Sequence, residues 1–359
     1  MSHKRLLYID YFRAFAILII IASHSFIFKE GESSMPAWFY FLFKGGTWFF
    51  VWIAGYLFQY LSPKFKTDIF YKKKLSNVIL PYLFAIIPVA IIYSLAGQTP
   101  GDPLIGCSAI KKFLTCIPFG MLINDPTWFM GMILIMFVVS PLLLVASRSR
   151  WFGVIVSGAL IVHIMTPIPS FIETVYLQTE LPYAIKALHY VEFYFKMFIL
   201  FLPVYLFGML SAKFIHSHYA YIKIISKFGL VTSTFVLICL YLLWQHYSIS
   251  FSLIKLSQII FMLFGVFWLE SSLANLPTIN KFLISTANYS FCLFFLHKYV
   301  INLFYYHSLW NTYQPPIAPI ISPFFIFFLS YLFSVGWVRL VKKFLLYCGI
   351  NNSRWIVGC

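Results

Sequence analysis

The sequence predicts an all-α fold, a polytopic membrane helix bundle of about ten transmembrane helices with both termini in the cytoplasm. Three observations carry this. Of 359 residues, 61% are hydrophobic and only 10% are charged, with a mean hydropathy of +0.86. A soluble domain of this length has about 25% charged residues to cover its surface, so the solvent of this chain is mostly lipid. The apolar residues also fall in long continuous runs, such as "AFAILIIIA" and "WFMGMILIMFVVSPLLLVA". Lipid admits only helices and closed barrels as spanning structures, and barrel strands would alternate apolar with polar residues. Finally, the basic residues sit in the short connectors between these runs, where membrane topology expects them.

Taken in order, the runs place spans at 11–28, 45–61, 76–96, 126–147, 151–168, 193–211, 229–246, 252–270, 284–304 and 318–338. "MSHKR" followed by an apolar stretch resembles a signal peptide, but no small-residue cleavage site follows, so it reads as a retained first helix. Segment 36–44 reads as a short interfacial helix leading into the second span, and Gly45-Gly46, Pro81 and Pro88 mark points where helices are disrupted. The stretches 97–125 and 167–192 are the longest outside the spans. Residues 1–345 read as one integral-membrane domain and 346–359 as a short cytoplasmic tail; neither a low-complexity linker nor an internal repeat is visible.

Orientation follows from Lys and Arg. With the N-terminus inside, 18 of the 26 fall on the cytoplasmic side, among them Arg13, Lys72, Lys73, Lys74, Arg339, Lys342 and Lys343, while Lys44, Lys255 and Lys298 are among those on the far side. This bias fixes the topology and accounts for the formal charge of +16, which therefore does not indicate nucleic-acid binding. The six cysteines form no CxxC pair, so a metal site is not expected; Cys107 and Cys116 share one external loop and are near enough in sequence to pair.

The first span carries charge on a stripe. Arg13 and His24 are eleven positions apart, close to three whole turns, so both point the same way within about 20° and lie about 16 Å apart along the axis. Asp10, three residues before Arg13, is within reach of pairing with it. Each has two readings alone: Arg13 as a headgroup anchor or a fork for phosphate oxygens, His24 as an interhelical hydrogen bonder or a proton-transfer group or nucleophile. Their common phase favours function, because a charged stripe facing lipid costs at least about 2.5 kcal/mol per group at the helix centre.

Other ionisable groups give weaker signals. Glu192 and Lys196, four apart, would pair. Glu270, near a helix end, would meet water. His163, His216 and His218 have no partner visible in the sequence, and the last two read as cytoplasmic loop residues. Asp125 beside Pro126 reads as a helix N-cap or turn residue. Trp48, Trp52 and Trp128 read either as sugar-stacking rings or as members of an interfacial aromatic belt.

The chain resembles acyltransferase family 3, integral-membrane enzymes that O-acylate bacterial surface glycans and some other extracytoplasmic substrates. "DYFR", ten residues and "H" match the family's first helix at Asp10, Arg13 and His24. "TWFFVWIAGYLF" is similar to its second helix, with Ala54 in place of the usual serine before Gly55 and Tyr56. "KKKLSNVILPY" resembles the basic lead-in to its third helix; many members have a second arginine three residues after the first, where this chain has Lys74 and Asn77. "PTWFMGMILIMFVVSPLL", "FLPVYLFGMLSAKF" and "ISTANYSFCLFFLHKYVI" resemble later helices, the last with His297 in the histidine position.

The resemblance implies a co-substrate rather than a bound cofactor: an acyl-CoA, most simply acetyl-CoA, presented from the cytoplasm. Arg13, Lys72, Lys73 and Lys74 are then the donor-binding cations, and His24 is the catalytic residue, as general base or as acyl acceptor. Asp10, Tyr56, Asn288 and His297 support it; Tyr56, Asn288, Ser285 and Ser23 are possible oxyanion donors. The acceptor is a sugar hydroxyl of an O-antigen, capsule or lipid-linked glycan outside a bacterial inner membrane, with Glu173, Glu180 and His189 near it. The remaining alternative is a transporter or flippase of a glycan intermediate, which would more often show broken helices in matched halves.

Overall fold

The computed structural model describes residues 6–26, 37–95, 104, 107–118, 127–166, 183–306, 318–350, 353 and 356. Glu173, Glu180 and Asp125 lie outside the described residues, as does the side chain of His189. Among the described residues all regular structure is helical, and seven helical stretches are long and apolar enough to cross a membrane. In chain order we name α1 Leu7–Ser25, α2 Ala37–Phe43, α3 Thr47–Leu61, α4 Thr67–Lys74, α5 Leu80–Leu95, α6 Ala109–Cys116, α7 Trp128–Ser147, α8 Phe152–Met165, α9 Tyr183–His246, α10 Phe251–Ala274, α11 Pro277–Tyr306 and α12 Ala318–Tyr347. The chain divides into two compact units: Met1–Lys64, Leu144–Pro167 and Pro203–Trp337 form the first, and Phe65–Leu143, Ile168–Leu202 and Val338–Cys359 the second.

The first unit is built around α1. Tyr11, Phe12, Ala14, Ala16, Ile17 and Ile21 are all fully buried, as befits a helix that is apolar outside one polar stripe. Antiparallel α3 packs on one side, with Phe12 against Trp52 (ring centroids 4.7 Å) and Tyr8 edge-on to Tyr56 (6.3 Å). On another side α11 runs parallel to α1, since Arg13 meets Ser290 and His24 meets His297. The following helix, α12, runs back: Phe324 meets Phe26, while Tyr331 bonds Thr286 of α11 (2.7 Å).

Lipid tails are as apolar as leucine, so apolar burial does not drive these helices together; close backbone approach and interhelical hydrogen bonds do. Gly55 of α3 and Gly208 of α9 supply the approach. A Cβ on Gly55 would sit 2.0 Å from the Tyr205 carbonyl oxygen, and one on Gly208 would sit 2.1 Å from that of Trp52. Trp52 donates from its indole nitrogen to Ser211 (3.2 Å), and Tyr11 donates to Asn280 (3.0 Å).

The short helix α2 appears where the sequence placed one. It ends at Gly45, whose φ of +80° turns the chain into α3, a left-handed conformation that favours glycine. The α4 helix extends the third apolar run downward, so "KKK" lies on a helix and not on a loop. A single π turn, Leu75–Ile79, separates α4 from α5; it lies just before Pro81, which removes one N–H from the ladder.

Residues 212–228 are also helical. They continue α9 with one non-helical residue, His218 (φ −125°), so His216 and His218 are not loop residues. His218 stacks on Phe214 (4.7 Å), and His216 meets Tyr60 edge-on (6.1 Å).

The second unit has its own contacts. Tyr71 of α4 donates to the Val138 carbonyl of α7 (3.1 Å), Tyr82 of α5 donates to the Ile117 carbonyl (2.7 Å), and Trp128 of α7 tilts against Phe201 of α9 (5.5 Å). Glu192 and Lys196 pair on the outer face of α9. Cys107 is a free thiol, so no disulfide joins it to Cys116.

Candidate active site

The α1–α11 seam positions the polar stripe of the first helix. Arg13, half-buried, donates from Nη2 to Ser290 Oγ (3.0 Å), and Ser290 itself is fully buried. Asp10, buried, lies one turn before Arg13. Three turns further along α1, the half-buried His24 places its ring 5.2 Å from that of His297, at 43° between planes. Ser290 and His297 are seven positions apart, two turns on α11, and therefore share a face as Arg13 and His24 do. One seam thus holds a guanidinium at one level and two imidazoles at another.

The state of His297 is set by its own helix. Its Nδ1 lies 2.8 Å from the Leu293 carbonyl oxygen; a carbonyl can only accept, so Nδ1 carries the proton and Nε2 keeps its lone pair. That Nε2 is buried with no hydrogen-bond partner among the described residues. A buried nitrogen lacking a donor is costly and is equipped to receive a proton from a group brought to it. Chemically, the seam can hold an anion at Arg13 and move a proton at the imidazoles.

The other expected residues fall elsewhere. Tyr56 is fully buried, and its hydroxyl shares a 2.6 Å hydrogen bond with Tyr8, which sets it at the level of Tyr8, sixteen residues before His24. Asn288 stands on an exposed face of α11, and Ser23 donates to the Ile20 carbonyl (2.8 Å). Lys72 and Lys73 are exposed in the second unit, while Lys74 is half-buried with its ammonium 3.9 Å from the Phe137 ring centre. Trp48 and Trp52 are buried in the first unit and belong to neither an aromatic belt nor an open sugar platform.

Glu270 does not meet water. It is buried, accepting from the Tyr219 hydroxyl (2.6 Å) and from Lys223 (3.4 Å). Nor is Lys255 a surface cation of the far side: it is fully buried in α10, bonded to Gln258 Oε1 (2.7 Å) and to the Phe41 carbonyl (3.3 Å). Sequence reasoning missed Ser290 and the Lys255–Gln258 pair. The two-turn spacing of Ser290 and His297 was a usable signal for the first; a lysine at the edge of an apolar run carries no signal for its own burial.

No curated protein and no solved structure matches the chain. A family model does: that of acyltransferase family 3, described as an acyltransferase domain, matches residues 6–339. The match spans the seam, both of its ends and nearly the whole chain. The chain therefore belongs to acyltransferase family 3, and it is a multi-pass membrane acyltransferase.

Proposed function

We propose that the protein is an O-acyltransferase of the bacterial inner membrane, moving an acyl group, most simply acetyl, from cytoplasmic acyl-CoA to a hydroxyl of an exported or lipid-linked surface glycan. The observation that supports it best is the seam itself, with Arg13 at one level and the His24–His297 pair about three turns on. The axial separation of Arg13 and His24, about 16 Å, suits a donor whose phosphates stay at the cation while a slender thioester arm reaches the imidazoles. Lys72 and Lys73, exposed in the second unit, are by their own charge suited to nucleotide phosphates.

In this reading the acceptor hydroxyl gives its proton to an imidazole, its oxygen attacks the thioester carbonyl, the carbon–sulfur bond breaks, and the departing thiolate takes the proton back. Atoms and charge balance with no further reactant. His24 is the proton-transfer group on α1, and the lone pair of His297 Nε2 can relay or hold that proton. Family membership favours this over glycan transport.

The experiment is release of esterified acetate from surface polysaccharide by mild base, in cells carrying wild type or His24→Ala. Loss of the ester with the glycan still exported is the expected result. Normal ester content in His24→Ala, or loss of export in its place, overturns the reading.

A further inference from the structure

Lys255 does not belong to the seam, yet it too is an ionisable group inside the first unit. It is fully buried near the start of α10, a helix long and apolar enough to span. Its partners are all neutral: the Gln258 amide oxygen (2.7 Å), the Phe41 carbonyl (3.3 Å) and the face of Phe251, 5.0 Å from the ammonium. Among the described residues no carboxylate pairs with it. An intramembrane cation without a counter-ion is costly and marks a functional site more often than a structural one. Holding α2 does not require the charge, because Gln258 Nε2 already donates to the same Phe41 carbonyl at a shorter 2.9 Å.

The position of the charge is informative. The Cε of Lys255 lies 3.3 Å from where a Cβ on Gly45 would be, and the next residue, Gly46, abuts Ile20 of α1. Ile20 is four residues, about 6 Å, from His24. Phe39 of α2 packs with Ala22 and Phe26, which flank His24. Lys255 therefore stands at the His24 end of α1, away from Arg13.

A second unsatisfied group stands nearby. His163 of α8 is buried, and its Nε2 has no partner among the described residues. Its ring lies 5.1 Å from Trp48, which lies 6.1 Å from Phe251. The ammonium without an anion and the imidazole without a donor thus border one aromatic pair, Trp48 and Phe251.

We propose that Lys255 is the binding residue for an anionic group of the acceptor, a carboxylate or phosphate carried on a sugar, and that His163 Nε2 accepts a hydrogen bond from a hydroxyl of the same acceptor. This rests on the acyl-transfer reading for the word acceptor; the anion site itself does not. On binding, the ammonium turns from Phe41 to the anion, and Gln258 keeps α2 in place.

The test is binding of three probes to the full-length protein in detergent, by calorimetry: methyl glucuronide, glucose 6-phosphate and the neutral methyl glucoside. The wild type is expected to bind one anionic probe at least tenfold tighter than the neutral one, and which anion it is separates carboxylate from phosphate. Lys255→Met, which removes the ammonium and its two hydrogen bonds while keeping a similar apolar stem, is expected to erase that preference; Lys255→Gln serves if the Met variant does not fold. Equal affinities in the wild type, or a preference that survives in the variant, overturn the proposal. Absence of acetyl transfer in the wild type would instead overturn the acyl-transfer reading and leave this measurement intact.

Discussion

At the scale of single residues, the acyl-transfer reading we propose gives the two levels of the seam two separate jobs. Arg13 is held by Ser290, a hydrogen bond from a charged donor to a buried hydroxyl, and such bonds are worth about 1.5–3 kcal/mol. Ser290→Ala leaves the guanidinium charge but removes one hydrogen bond that orients it. The KM for the acyl donor should rise about tenfold, the equivalent of ~1.4 kcal/mol, with kcat nearly unchanged; a fall in kcat alone would place Ser290 at the chemistry. His297 makes the opposite prediction. His297→Asn can still donate to the Leu293 carbonyl but has no basic nitrogen. Steady-state rates should show kcat reduced on the order of 10²–10⁴-fold, the usual range for a lost proton-transfer group, with the donor KM within about twofold of wild type. Full activity in His297→Asn would mean that the ring serves packing only. Arg13 and His24 were legible in the sequence because a helix converts spacing into direction. Tyr56 was not placed: its hydroxyl is taken by Tyr8, an interhelical pairing that no local pattern encodes.

At the scale of elements, α3 and α9 cross with their backbones in close approach at Gly55 and Gly208, and the crossing places Trp52 and Tyr56. The two glycines face backbone carbonyls rather than flexible side chains, so a methyl group there cannot be accommodated by rotamer changes. Gly55→Ala or Gly208→Ala should each destabilise by at least the roughly 1–3 kcal/mol of an overpacked core, read as a lower midpoint in heating followed by size exclusion in detergent. Because both act on one crossing, the double variant should cost less than the sum of the two. Gly158→Ala, where an added Cβ meets nothing within 4 Å, should leave the midpoint unchanged. The elements also show where hydropathy stops being informative. It finds what crosses lipid, and so it located the apolar parts of α9 but read 212–228 as a connector. That stretch contains neither Gly nor Pro and runs on as helix, broken only at His218. The same scale treats Lys255 and Glu270 as water-seeking, because it has no term for partners supplied by other helices.

At the scale of the molecule, direction decides which side the donor must come from. Arg13 and His24 meet Ser290 and His297 in the same order along both helices, so α1 and α11 run in the same sense. The α12 contacts run from Phe26 back to Thr286, so α12 returns toward the end where α1 begins. Lys4 and Arg5 precede α1, and an excess of Lys and Arg at one end of a span favours that end for the cytoplasm. On the topology we propose, the Arg13 level of the seam faces the cytosol, and the His24 level, with Lys255, faces outward. Two measurements follow from this one orientation. A fluorescent protein fused at the C-terminus should fluoresce, whereas alkaline phosphatase fused after Lys44, in the turn between α2 and α3, should be active. Sealed inside-out vesicles should consume acyl-CoA added to the medium, and sealed right-side-out vesicles should consume it only once permeabilised. If the intact right-side-out vesicles turn over external donor at the same rate, Arg13 does not receive the donor from the cytosol, and the assignment of the two ends of the seam must be exchanged.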